Sequence, residues 1–192
     1  KSLDVFEDAF ILSFIGELNK NKNQLMLIEA CERFKPSEPI RLLLVGEGPM
    51  EETYRRYVQE RGLNNIHFLG FRDDIPKILA VSDVIVLTSK REGLPRCVME
   101  GMAAGKPILG TNIRGTRDLV IDGENGFLVE VGDVGALTEK IRELYTNAPL
   151  RLQMGERNLK RIKDFALPKV MDALDKVYID AGLFKTEEER GR

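Results

Sequence analysis

With 192 residues, 43% hydrophobic and 31% charged, the chain is long enough for one well-packed domain and has the composition of an ordinary soluble globular protein. Its 29 Lys and Arg stand against 31 Asp and Glu for a net charge of -2, so there is no basic field of the kind that nucleic-acid binding needs. No apolar run approaches the roughly 18 residues that span a bilayer, and the opening KSLDVFEDAF lacks a signal-peptide pattern; the expectation is a cytoplasmic protein that is not transmembrane.

Short apolar runs then alternate with helical patterns. FILSFI (10–15) reads as a strand ending at Gly16, followed by a polar loop, ELNKNKN, and a helix, QLMLIEACERF, with Leu25, Ile28 and Cys31 on a sheet-facing side. IRLLLVG (40–46) is a second buried strand, and EGPMEETYRRYVQERG a helix ended by Gly62, its early glutamates favoured by the helix dipole. NIHFLG (65–70) is a third strand, IPKILAVS a short helix, DVIVL (83–87) a fourth strand and KPILG (106–110) a fifth. Between the last two lies SKREGLPRCVMEGMAAG, read as a loop and a helix beginning at Leu94 and Pro95. TNIRGTRDLVIDGENGFLVEVGD is irregular, with turn signals at Asp122-Gly123 and Asn125-Gly126 and a last short strand in GFLVEV. Asp133 suits the N-cap of VGALTEKIRELYTN, whose Leu137, Ile141 and Leu144 share a face; helices over 150–165 and 167–181 follow, then a charged tail. This alternation predicts an α/β, Rossmann-like, doubly wound parallel sheet of about six strands with helices on both faces. The divisions are 1–9 as a linker remnant, 10–181 as the domain and 182–192 as the tail.

Several residues compete for chemical meaning. Gly46-Glu47-Gly48 sits between a strand and a helix, yet Glu51 occupies the third glycine position of a dinucleotide fingerprint, so a tight turn suffices. His67 suits a packed or surface strand position better than a catalytic base, and Cys31 and Cys97 have the spacing of neither a disulfide nor a metal site. Lys22 is either a solvated loop residue or, on the same sheet edge as Glu92, a phosphate contact. The free backbone N–H groups at the helix start near Leu94 and Pro95 can hold phosphate. Glu100, inside that helix, can accept two hydrogen bonds from the vicinal hydroxyls of a sugar; the plain alternative is an i,i+4 ion pair with Arg96 worth about 0.3 to 0.5 kcal/mol. There is no DxD pair to hold a metal.

EGLPRCVMEGMAAGKPILGT resembles the Glu, seven residues, Glu signature of the retaining glycosyltransferases of family 4, whose two-domain fold is called GT-B. FIGELNKNKNQLMLIEA, LLLVGEGPMEE, IHFLGFRDDIPKILAVSDVIVLTS and GENGFLVEVGDVGALTEKI follow in the family's order, so the likeness covers nearly the whole chain and is that of the C-terminal, donor-binding half. By this resemblance, Glu100 binds the donor ribose, Glu92 contacts the transferred sugar, Lys22 and the amides after Gly93, with Leu94, Pro95 and Arg96, hold the diphosphate, and Arg72 lies where the base is gripped. Gly16-Glu17 departs from the family's frequent Gly-Arg pair and removes one diphosphate cation, for which Arg96 or Arg114 could compensate; GELNKNKN is nonetheless similar to a subset of bacterial capsule and exopolysaccharide transferases.

The resemblance implies transfer with retention from a nucleotide-sugar, by preference a UDP-sugar, with no cofactor and no metal. It also implies a missing N-terminal GT-B domain as partner and peripheral membrane association of the full-length enzyme. Half an active site is expected to bind the donor weakly and to transfer little or no sugar. Two other readings remain: a nucleotide-sugar epimerase of related architecture, and a non-catalytic nucleotide-binding or regulatory module.

Overall fold

The computed structural model describes residues 9–181. The expected tail over 182–192 and all but Ala9 of the expected linker over 1–9 lie outside the described residues.

Six strands form one parallel sheet: β1 (Phe10–Ile15), β2 (Ile40–Val45), β3 (Ile66–Gly70), β4 (Val84–Leu87), β5 (Ile108–Thr111) and β6 (Gly126–Val129), in the spatial order β3-β2-β1-β4-β5-β6. The helices between them are α1 (Gln24–Glu32), α2 (Glu51–Glu60), α3 (Ile75–Val81), α4 (Arg96–Ala103) and α5 (Arg114–Leu119); α6 (Val134–Thr146), α7 (Ala148–Arg161), a 3-10 turn (Ile162–Phe165) and α8 (Leu167–Asp180) complete the chain. The alternation within β1 sorts the two faces. Phe10, Leu12 and Phe14 join the large core beneath α1 and α6, whereas Ile11 joins Leu43, Val45 and Ile78 of α3 on the other face. Burial on both faces is why the strands read as continuous apolar runs.

The order reverses between β1 and β4. Chain growth from β1 runs outward to β2 and β3, then returns to β4 and runs the other way, so the loops after β1 and β4 diverge and leave a crevice at their carboxyl ends. Three bonds fix the β1–β4 register: the Ile11 amide donates to Asp83 Oδ2 at 2.8 Å, the Asp83 amide to the Ile11 carbonyl at 2.9 Å, and the buried hydroxyls of Ser13 and Ser82 meet at 2.6 Å.

Three local readings are corrected. α4 begins at Arg96, not Leu94: Pro95 is extended (φ -73, ψ 110) and its carbonyl accepts from the Val98 and Met99 amides, the position of an N-cap. The stretch expected to be irregular contains α5, six residues that carry Gly115 within the first turn. That glycine is a packing requirement, because a Cβ there would stand 2.1 Å from the Gly93 carbonyl oxygen. α7 begins at Ala148, capped by Asn147 accepting from the Leu150 amide, and gives way to the 3-10 turn after Arg161. Asp133 caps α6 as expected, its Oδ1 accepting from the Ala136 amide at 2.8 Å over the buried Leu137, Ile141 and Leu144.

Central burial should dominate stability. Phe14→Ala, at a fully buried position on the central strand, is expected to cost about 3–5 kcal/mol in urea unfolding, whereas Leu152→Ala, 72% exposed, should stay within about 0.5 kcal/mol.

Candidate functional site

Residues 16–23 after β1 and 88–95 after β4 flank the crevice, and hydrogen bonds stitch them together across it. The Lys90 amide donates to the Asn21 carbonyl at 2.8 Å, and Asn21 Nδ2 donates to the Arg91 carbonyl at 3.0 Å. Thr88 Oγ1 lies 3.0 Å from the Asn23 carbonyl and 3.2 Å from that of Lys22. Sequence reasoning passed over Asn21 and Thr88; the one available signal was the asparagine-rich NKNKN, since Asn favours turns and left-handed backbone.

On this frame, Lys22 and Glu92 face one another: Lys22 Nζ donates to Glu92 Oε1 at 2.7 Å, with side chains 20% and 13% exposed. Gly16 lies under Lys22, for a Cβ there would sit 3.6 Å from Lys22 Cε and 3.8 Å from Nζ. Gly46 lets the next loop close in: its φ is +129, and a Cβ would stand 2.2 Å from the Gly16 carbonyl oxygen. Glu17 is exposed and tied to its own loop, its carboxylate accepting from Asn19 Nδ2 at 2.8 Å and its carbonyl from Gln24 Nε2 at 2.7 Å.

The other wall is the start of α4. Gly93 and Leu94 are exposed, Pro95 is buried, and no side chain caps the helix, so the Arg96 and Cys97 amides carry the positive end of its dipole. Glu100 follows a turn later, partly exposed, with Arg96 Nη2 3.7 Å from its Oε1; Arg96 is 90% exposed, so this pair is a weak surface contact. Cys97 ties these walls together: burial first, then the Glu92 and Glu100 charges, push its thiol up to about 11, while Lys22 acts in the opposite sense.

Arg72 stands apart from this cluster. It lines a cleft of about 370 Å³ with Ile15, Gly16, Val45, Phe71 and Ile75, at the carboxyl ends of β1, β2 and β3. Its guanidinium is engaged by Asp74 through two bonds, Nε to Oδ1 at 2.7 Å and Nη2 to Oδ2 at 2.6 Å. The hydrogen bond raises the Arg72 pKa and holds the Asp74 carboxyl below its usual range, so the guanidinium is not an open cation for a ligand. A larger cleft, about 540 Å³, lies between Ile121, Glu124 and α7, but at the amino end of β6 and away from the crevice. Among the described residues no three His, Cys, Asp or Glu gather to hold a metal ion, and no helix is long and apolar enough to cross a membrane.

The family model described as glycosyl transferases group 1 matches residues 1–161. EpsD of Bacillus subtilis (strain 168) is 40% identical over 174 residues, covering 90% of this chain and 46% of its own length. HepE of Anabaena, solved in complex with UDP and glucose, is similar with a TM-score of 0.83 and 25% identity over 92% of this chain and 50% of that one. The C-terminal domain of a group 1 glycosyl transferase (LpcC) from Francisella tularensis shares the fold, with a TM-score of 0.74 and 24% identity over 80% of this chain and 84% of that one. The chain spans about half the length of the curated relatives it matches.

Neither thiol is poised as a nucleophile, because burial drives Cys31 up to about 12 and Cys97 to about 11. At pH 8 the native protein should react slowly with a thiol-titrating disulfide reagent and release two equivalents only on unfolding. Above pH 9 the unfolded chain would lose thiol protons that the native state retains, so the urea midpoint should fall as pH rises from 9 towards 11.

Proposed function

The chain belongs to the group 1 glycosyl transferases, and from that premise we propose that it is the donor-binding half of a two-domain GT-B enzyme. That enzyme moves a sugar, with retention of configuration, from a UDP-sugar to a glycan or lipid-linked acceptor in bacterial cell-surface polysaccharide synthesis. The observation that carries the reading is the convergence of Lys22, Glu92 and the uncapped α4 N-terminus, with Glu100 a turn further on, at the sheet's switch point.

Each part has a role that its chemistry suits. The diphosphate of a nucleotide-sugar is dianionic, and its negative charge grows on the leaving group as the glycosidic bond breaks. Lys22 Nζ and the Arg96 and Cys97 amides offer fixed positive charge where that develops, with no metal required by the reading. Glu100 is available, partly exposed and only loosely paired, to accept both ribose hydroxyls. Glu92 contacts the transferred sugar. Its carboxylate alone would repel a diphosphate, and the 2.7 Å bond to Lys22 offsets that repulsion. The base occupies the apolar cleft beside Phe71, where Arg72, locked to Asp74, contributes its backbone rather than its charge. Neither glutamate acts as a covalent nucleophile; departure and attack occur on the same face of the sugar.

UDP as donor base is supported by the bound UDP in the Anabaena relative. A capsule or exopolysaccharide product is supported by the likeness of GELNKNKN to such transferases. The acceptor site belongs to the N-terminal half, which forms the active cleft together with this one.

Calorimetry with UDP-, GDP- and ADP-sugars tests the reading. UDP-sugars should bind, and Glu100→Ala should weaken them by roughly 100-fold or more, since each of two hydrogen bonds to a charged group is worth about 1.5–3 kcal/mol. Equal binding by the variant would sink the donor-site reading in favour of a regulatory module. The 192-residue chain alone should show little or no transfer, so turnover by it refutes the need for a second half. Acceptor-independent change of the donor sugar would instead mark an epimerase.

A further inference from the structure

We propose that Thr88 is a positioning residue whose buried hydroxyl pins the turn carrying Lys22 and thereby sets Lys22 opposite Glu92. This rests on the donor-site reading of the crevice. Thr88 follows the last residue of β4 and is wholly buried, a position where a valine would fit by shape. Its hydroxyl instead lies within hydrogen-bond reach of two successive carbonyls, Lys22 at 3.2 Å and Asn23 at 3.0 Å, 66 and 65 residues away in sequence.

The turn needs holding. Asn23 has φ 53 and ψ 42, the one non-glycine at positive φ among the described residues, and no side chain caps the helix that starts after it. Asparagine adopts left-handed backbone more readily than other side-chain-bearing residues, and the contacts around it select that conformation here. They do so from two sides: within the loop, Asn19 Oδ1 accepts from the Lys22 amide at 2.9 Å and the Asn19 carbonyl from the Asn23 amide at 3.2 Å, while the carbonyls of Lys22 and Asn23 face Thr88. Asn21, Lys22 and Asn23 are all bonded to the segment 88–91, and Thr88 provides the only one of these contacts that reaches the backbone of Lys22 itself.

Lysine is a poor self-positioner. Its four-carbon stem is flexible, and the 2.7 Å contact with Glu92 forms readily only if the backbone that bears the stem is fixed. Release of the Lys22 and Asn23 carbonyls would let that backbone drift, and a displacement of about 1 Å is enough to impair a preorganised site. Thr88 does not touch the donor in this scheme; it acts through Lys22.

Thr88→Val removes the hydroxyl with little change of shape, and Thr88→Ser keeps it. UDP affinity by calorimetry should fall about threefold to tenfold in the valine variant, the range of one lost hydrogen bond, and return in the serine variant. The Lys90 amide, which donates to the Asn21 carbonyl, should exchange with solvent faster in Thr88→Val and at the wild-type rate in Thr88→Ser. A folded Thr88→Val protein with a lower melting temperature but unchanged UDP affinity would show a purely structural hydroxyl and overturn the proposal, as would unchanged Lys90 exchange. Should the valine variant not fold, the wild type decides: NMR should show a Thr88 hydroxyl proton protected from solvent, and its rapid exchange overturns the pin. Wild-type protein that binds no UDP overturns the donor-site reading itself, while Lys90 exchange still decides whether the pin exists.

Discussion

The pairing of β1 with β4 is the constraint on which the rest of the molecule depends. These strands are remote in sequence, and their ladder is short, with Leu12 opposite Val84 and Ser13 opposite Ile85. A slip of one residue would turn Leu12 and Phe14 out of the large core, and the Ser13–Ser82 and Ile11–Asp83 bonds forbid it. With that register fixed, the loops after the two strands leave the sheet side by side, and Lys22 arrives beside Glu92 although 70 residues separate them. The sheet therefore determines the site through register, and the loops determine it through the bonds they exchange.

Electrostatics explains why two charged side chains can sit together in the crevice. Glu92 and Lys22 are both mostly buried, and either alone would be costly to desolvate; paired, they can remain in the fold with nothing bound. The α4 N-terminus beside them adds fixed dipole charge without adding a further ion to be neutralised. Cys97, one residue into this helix N-terminus, might have been expected to ionise there, but burial outweighs the dipole and the nearby lysine, and the thiol stays neutral.

The strands, their parallel sheet and the α6 cap at Asp133 were legible in the sequence because each rests on local pattern: unbroken apolar runs alternating with helices, turn residues and a capping side chain. The placement of Lys22 and Glu92 on one sheet edge was legible too, since in a parallel sheet the loops that follow the strands all leave by the carboxyl edge. What escaped depends on contacts at long range. α5 has no amphipathic period, and its Gly115, which reads as a helix breaker, is there because the Gly93 carbonyl presses against it. Pro95 could stand at N1 or at the cap, and only its ψ of 110 separates the two. Thr88 looks like the end of an apolar strand, and nothing local reveals that its hydroxyl serves two carbonyls from another loop. Arg72 looks like a free cation until Asp74, two residues on, is seen to occupy its fork.

The same distinction bears on Glu17, where many relatives by resemblance carry arginine. A carboxylate beside a diphosphate would be unfavourable if it pointed at it, but Glu17 is exposed and its oxygen is taken by Asn19, within its own loop. Its backbone carbonyl is also held, by Gln24, so the loop keeps its shape without an arginine to anchor it. The cation that is lost is therefore not replaced at that point in the fold. Of the candidates to offset it, Arg96 is loosely paired to Glu100 and almost wholly in solvent, free to swing. Arg114 is exposed at the start of α5, the helix whose Gly115 packs against Gly93. At the near side of the crevice this leaves Lys22, fixed by its ion pair with Glu92, as the residue on which the proposed diphosphate contact rests, rather than Gly16-Glu17 of the first loop.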